Sequence, residues 1–288
     1  MIKVWAPATS ANCLVGFDCV GMAVDWWASF TFEESDHTYI TGCPEEYQNE
    51  NNLVLQAFKQ VADMYNLSMP TFHLHIESDI PSTRGLGSSS TCVVAGILGA
   101  NAWLRLNLSD EELLKVATAI EGHPDNVAPC LFGQMCISFI DDEKPYLTTI
   151  NCDKFYGLAM IPSYHVSTAE ARKLLPETIP FKQAVKQAAY VSSFVQALHT
   201  GDETILRACR DFLHEPYRKE LIQEYDTIHA YCQRKDIVMW ISGSGSTMLA
   251  ISQDKEKIKN LKEFADANFD MENRPISIAK KGAYVEYE

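Results

Sequence analysis

The chain has 288 residues, and 24 Lys and Arg against 38 Asp and Glu leave it with a net charge of −14. That balance, with no basic run, argues against nucleic acid or an anionic membrane as the main partner, and 47% hydrophobic with 22% charged residues is too apolar for a disordered chain. The length implies one large or two modest domains, because single cores stop growing at roughly 250–300 residues.

Residues 2–6 alternate as a half-buried strand, then Pro7 and the polar Thr9, Ser10 and Asn12 end any resemblance to a secretory leader. Trp26 and Trp27 read as strand residues, one on each face. Residues 71–78 form a second alternating strand with Phe72, Leu74 and Ile76 inward. His73, His75 and Glu77 share its other face, which reads as a packed or solvated surface and not as a metal site. A helix is expected over 88–106 and another over 109–120, the latter opened by the capping-box pair Ser109 and Glu112. Residues 133–140 read as a strand and 141–145 as a polar turn. A strand at 156–161 precedes a helical tract over 167–234, punctuated by Pro176, Pro180, Gly201 and Pro216. Strands at 237–241 and 248–251, a helix at 255–268 and strands at 276–280 and 283–286 close the chain. Both halves mix strands and helices, so the expected class is α+β, with domains at 1–150 and 151–288. The weakly polar stretch over 93–104 is too short to span a membrane. Nine scattered cysteines without a CxxC pattern read as reduced thiols of a cytoplasmic protein.

Four segments carry chemistry. Pro81-Ser82-Thr83-Arg84-Gly85-Leu86-Gly87-Ser88-Ser89-Ser90 follows a strand and opens a helix. Its glycines allow close backbone approach, and the helix start offers N–H groups to a phosphate. It lacks the lysine of a Walker loop and the third glycine of GxGxxG, and a simple Gly-Ser helix cap remains an open reading. Glu121-Gly122-His123-Pro124-Asp125-Asn126-Val127-Ala128-Pro129 gathers two acids, a histidine and an amide, and by itself also reads as a helix stop followed by a turn. The run Ala6 to Asn12 leading to Gly16-Phe17-Asp18, and the loop Ser242-Gly243-Ser244-Gly245-Ser246, complete the set.

Taken in their order along the chain, from Ala6 to Ser246, the segments resemble the GHMP kinases, most closely their homoserine kinase branch. Thr168-Ala169-Glu170-Ala171-Arg172 and His214-Glu215-Pro216-Tyr217-Arg218 add to the resemblance, which runs from about residue 2 to the end. It implies a two-domain fold, with an N-terminal ATP-loop domain and a C-terminal ferredoxin-like α/β domain. The implied reaction is phosphorylation of the side-chain hydroxyl of L-homoserine by ATP with Mg²⁺, in threonine biosynthesis. On the resemblance, Pro81 to Ser90 and Gly243-Ser244-Gly245 bind ATP, and Ser89 with Glu121 holds Mg²⁺. Asn12, Asp18, His123, Arg172 and Arg218 bind the substrate, with Asp18 on its ammonium and the arginines on its carboxylate. Asp125, Asn126 and Thr168 form the catalytic group. Neither nucleic acid nor membrane is implied as a partner, and a homodimer is compatible. Another small-molecule GHMP kinase, or a non-catalytic nucleotide-binding regulator, are the alternatives. Two departures stand out: Leu14 and Val15 occupy the family's usual Gly-Pro, and Ser246 replaces a common proline.

Overall fold

The computed structural model describes residues 1–287. β1 (Ile2–Ala11) leads through a tight loop to the long β2 (Val20–Glu34), its antiparallel partner. The register shifts between Pro7 and Ala8, where Pro7 has no N–H to give the ladder. β3 (Tyr39–Thr41) and α1 (Leu53–Met64) follow, with Asn52 capping the helix through the Val54 N–H. β4 (Phe72–Glu77) then enters α2 (Ser88–Trp103) by way of the glycine-rich segment. α3 (Asp110–Glu121) is closed by Gly122 at φ 92°, and α4 (Pro124–Phe132) starts two residues later. The hairpin β5 (Met135–Asp141) and β6 (Lys144–Ile150) pairs back onto the start of β2.

β7 (Tyr156–Pro162) begins a second sheet. Five helices follow: α5 (Thr168–Lys173), α6 (Phe181–Thr200), α7 (Glu203–Ala208), α8 (Glu215–Arg218) and α9 (Tyr225–Arg234). β8 (Val238–Ile241), β9 (Met248–Ser252), α10 (Lys255–Asn268) and β10 (Met271–Ile276) complete the second sheet in the order β10-β7-β9-β8. β11 (Tyr284–Tyr287) returns to the first sheet beside β1, giving the path β11-β1-β2-β4-β3 with β5 and β6 attached to β2.

Strand alternation in β8 and β9 joins the halves. Val238, Trp240, Leu249 and Ile251 point into the same core as β1, β2 and α2. Met239, Ile241, Met248 and Ala250 point the other way, into a smaller core under α9 and α10. The Trp240 indole also donates to the Ser10 hydroxyl of β1 at 3.0 Å. The second sheet is therefore anchored directly behind the end of the first strand.

The α+β mixture, the capping box of α3 and the interrupted helical tract match the sequence expectations. Three local expectations change. Residues 277–280 are not a strand. After β10 the chain must cross from the second sheet to the first, and it makes only the bridge Val24↔Ile278 on the way. The polar turn narrows to Asp142 and Glu143, both at positive φ, and Lys144 already belongs to β6. The Gly122–Pro124 stop is also a start, since Pro at N1 opens α4. His73 and His75 lie on the outer face of β4 and share the Thr41 hydroxyl, as a packed surface would. Among the described residues no group of His, Cys, Asp and Glu is arranged to hold a metal ion, and no helix is long and apolar enough to cross a membrane.

Candidate active site

The motif loops converge because each leaves a buried element at the same end of the fold. The segment before α2 is locked first. A side chain on Gly85 would strike the Ser242 carbonyl at 2.0 Å, and one on Gly87 would strike the Thr9 hydroxyl at 1.9 Å. Both glycines have positive φ, so the close approach and the turn need the same residue. The Ser242 hydroxyl donates to the Gly85 carbonyl at 2.6 Å and the Thr9 N–H to the Leu86 carbonyl at 3.1 Å. The start of α2 is thus clamped between β1 and the loop after β8, and Gly87, Ser88 and Ser89 there border open space.

That space is a cavity of about 260 Å³. Its walls include Asn12, Asp18, Thr83, Gly85, Leu86, Gly87, Ser88, Ser89, Glu121, His123, Asp125, Asn126, Thr168, Arg172, Arg218, Gly243 and Ser244. Five residues of the sequence-derived set stand elsewhere. Arg84 donates to the Pro162 and Ser163 carbonyls and so pins the loop to the second sheet. Ser90 is buried, with its hydroxyl on Glu121. Gly245 packs on Ile222, and Pro81 lines neither this cavity nor its neighbour. Ser82 lines that neighbour, described below.

Within the cavity the polar groups fall into two clusters. Near α2, the Glu121 carboxylate accepts from Ser89 at 2.9 Å and from Ser90 at 3.0 Å. Asn126 accepts from Thr9 at 2.7 Å, which fixes its carbonyl end and leaves its NH₂ end for other contacts. Asp125 is buried on the first turn of α4 and accepts from the His123 ring. Across the cavity, Arg172 grips Asp18 with two parallel hydrogen bonds of 2.9 and 3.0 Å. Arg218 is only 2% exposed and donates to the Gly243 carbonyl at 2.8 Å, which also accepts from Asn12. Asn12 in turn accepts from the Asp18 N–H. The Thr168 hydroxyl lies 3.3 Å from that of Ser244.

Leu14 sits at φ 64° where the family resemblance places glycine, and Asn12 and Asp18 are also left-handed. The loop has kept its turn, and the buried Leu14 side chain packs into the core behind it.

The hydrogen bond to Asp125, the charge of that carboxylate, and then the charges of Asp18 and Glu121 raise the His123 pKa above its ordinary 6.5, against partial burial. Stability from this pairing is complete below about pH 6.5 and is lost as pH rises through the raised value. Thermal melts of His123→Asn across neutral pH are expected to lack that pH dependence, whereas the unmodified protein loses midpoint temperature over the interval.

A second cavity of about 450 Å³ shares Thr83, Ser88 and Ser89 with the first. Cys43, Tyr47, Asn52, Leu53, Ile80 and Cys92 line it. None of these residues was picked out from the sequence. The available signal was the Asn52 cap ahead of the apolar period of α1, next to the Gly42–Pro44 turn.

Comparison with known proteins follows the same lines. The model of the GHMP kinase N-terminal domain matches residues 52–134, and that of the GHMP kinase C-terminal domain matches residues 194–270. The chain belongs to the GHMP kinase family. The chain is 37% identical over 292 aligned positions to a protein of Clostridium botulinum named homoserine kinase, covering 99% of this chain and 98% of that one. It is 40% identical over 273 positions to a Clostridium beijerinckii protein of the same name, covering 92% and 91%. The crystal structure of homoserine kinase from Cytophaga hutchinsonii superposes with a TM-score of 0.85 at 28% identity, over 99% of this chain and 97% of that one. This GHMP kinase therefore has the two-domain α+β fold of its family.

Proposed function

We propose that this GHMP kinase transfers the γ-phosphoryl group of ATP to the side-chain hydroxyl of L-homoserine, giving O-phospho-L-homoserine and ADP, as a cytoplasmic step of threonine biosynthesis. The observation that carries the reading is one small cavity that sets an acid and two arginines against a phosphate-binding helix start. Homoserine is a zwitterion with a hydroxyl at its far end. Asp18 and Arg172 satisfy each other. A zwitterion offers each of them a replacement, an ammonium for Asp18 and a carboxylate for Arg172 and Arg218. Curated relatives carrying the same name over nearly their full length support the assignment.

The phosphates rest on the N–H groups at the start of α2 and the loop of Gly243 and Ser244, and the neighbouring apolar cavity takes the nucleoside. Ser89 and Glu121 offer a hydroxyl and a carboxylate 2.9 Å apart, hard oxygen donors that fit Mg²⁺. Bound there, the ion would neutralise charge on the phosphate oxygens. Asp125 and Asn126 orient the homoserine hydroxyl, with Thr168 closing the cavity from α5. The hydroxyl oxygen bonds to the γ-phosphorus as the bond to the bridging oxygen of ADP breaks, and the hydroxyl proton leaves to water. Such transfer depends on positioning and charge more than on a strong base.

The test is ADP release with Mg-ATP against homoserine, mevalonate, galactose and threonine, where turnover is expected on homoserine. Turnover only on a substrate without an amino group overturns the reading, and ATP binding without turnover on any of them favours a regulator. In the same assay Arg172→Ala is expected to raise the homoserine KM by about 2 kcal/mol, roughly thirtyfold, the low end for a charge pair because Arg172 is half-exposed.

A further inference from the structure

Phe17 lies between the charged groups assigned to the substrate. The Arg218 guanidinium sits 5.1 Å from its ring centre and that of Arg172 5.6 Å. Packed against the ring is His214, with ring centres 5.5 Å apart and planes within 23°. His214 is fully buried, and its ring nitrogens reach no well-formed hydrogen bond, only a weak one to the Leu14 backbone. The Asp211 carboxylate is 3.8 Å from its Nε2. Burial, and the charge of Arg218 among its neighbours, hold the imidazole neutral by pulling its pKa down to about 4. A buried polar ring so weakly hydrogen-bonded calls for another reason to be where it is. What the ring does make is a flat contact.

The backbone around it is held tightly. Asp211 accepts from the N–H groups of Leu213, His214 and Glu215 at 3.1, 2.6 and 2.9 Å, which fixes the entry to α8. Gln187 of α6 donates both to Asp211 at 3.0 Å and to the Val15 carbonyl at 2.8 Å. One buried network therefore sets both the loop that carries Phe17 and Asp18 and the helix that carries Arg218. Inside it, His214 is the side chain that touches the ring under the arginines.

We propose that His214 is a positioning residue for substrate recognition: its ring face sets the tilt of Phe17 and, through it, the separation of the Arg172 and Arg218 guanidiniums. The inference rests on the assignment of those arginines to the homoserine carboxylate. A displacement near 1 Å at such a clamp is costly, because the two guanidiniums must meet one carboxylate.

The experiment compares His214→Leu with His214→Phe. Both fill the core and remove the poorly partnered nitrogens, so both are expected to fold with a melting temperature close to the parent's. Only phenylalanine keeps a flat face. His214→Leu is expected to raise the homoserine KM by about tenfold to a hundredfold with the ATP KM within about twofold, and His214→Phe to bring the homoserine KM back to within about threefold of the parent. Equal homoserine KM values in the two variants overturn the role, as does a rise in the ATP KM that matches the rise for homoserine. Turnover of homoserine by the parent enzyme is measured first. Its absence sinks the substrate reading and this inference together, whereas parent turnover with equal variants sinks the role of His214 alone.

Discussion

Replacing Arg218 by methionine is expected to raise the homoserine KM by about 2–4 kcal/mol, roughly 30-fold to 1,000-fold, without lowering the melting temperature. The two halves of this expectation have one cause. Arg218 is almost wholly buried, its Nε has no hydrogen-bond partner, and its one hydrogen bond to the backbone goes to Gly243. Among the described residues no carboxylate stands within ion-pair distance of it. Burial, and then the neighbouring Arg172, bring its pKa down to about 10, against the attraction of Asp18, Asp125 and Asp211. The folded protein therefore holds a desolvated cation at a cost, and an arriving carboxylate removes it. Methionine follows the same path through the core without the charge, so the ligand-free protein gains or keeps stability while the substrate loses its anchor. The check is a homoserine saturation curve beside a thermal melt of the same preparation. An unchanged KM would remove Arg218 from the site, and a large fall in melting temperature would make it structural.

Contrast with Arg172 sharpens the point. That side chain is half-exposed and already paired with Asp18, so its carboxylate contact must replace an existing ion pair. Two arginines that look alike in sequence thus differ in what binding gives back to each. The difference lies in burial, which a sequence does not display.

Much of the site was legible because its residues cluster in short runs. The glycine-rich segment, the Glu121–Pro129 run and the Ser242–Ser246 loop each bring their chemistry within a few residues, and family resemblance ordered them. Elements lacking such runs were missed. α1 carries a clear apolar stripe, but it follows a polar stretch that hides its start, and the second cavity it lines, proposed for the nucleoside, went unseen with it. Lys144 and Pro145 read as a turn because they look like loop residues, although they begin β6, an edge strand that pairs only with β5. The tract at 276–280 alternates like a strand, yet topology requires a crossover there, and tertiary demands override a local pattern. Contacts that hold the site together, such as Thr9 with Asn126 or Asn12 with Gly243, span more than a hundred residues and leave no local trace.

Glu121 offers the second large effect, and a pair of substitutions separates its possible roles. Its carboxylate accepts from Ser89 and Ser90 at the first turn of α2, which orders the hydroxyls beside the N–H groups proposed to hold the phosphates. Glutamine can still accept both hydrogen bonds through its carbonyl oxygen, but it has no charge with which to hold Mg²⁺. Alanine loses both functions. If charge beside the phosphates is what matters, Glu121→Gln and Glu121→Ala should each lower kcat by about 100-fold to 1,000-fold, with the homoserine KM nearly constant. If Glu121 only props the serines, the glutamine variant should keep most of the parent kcat and the alanine variant alone should fail. The first pattern is expected, since a half-buried carboxylate facing a polyphosphate is unfavourable unless a cation lies between them. Raising Mg²⁺ should then recover part of the lost rate in the glutamine variant, because Ser89 and the phosphates retain their oxygen donors. A glutamine variant at parent kcat would move the metal away from Glu121.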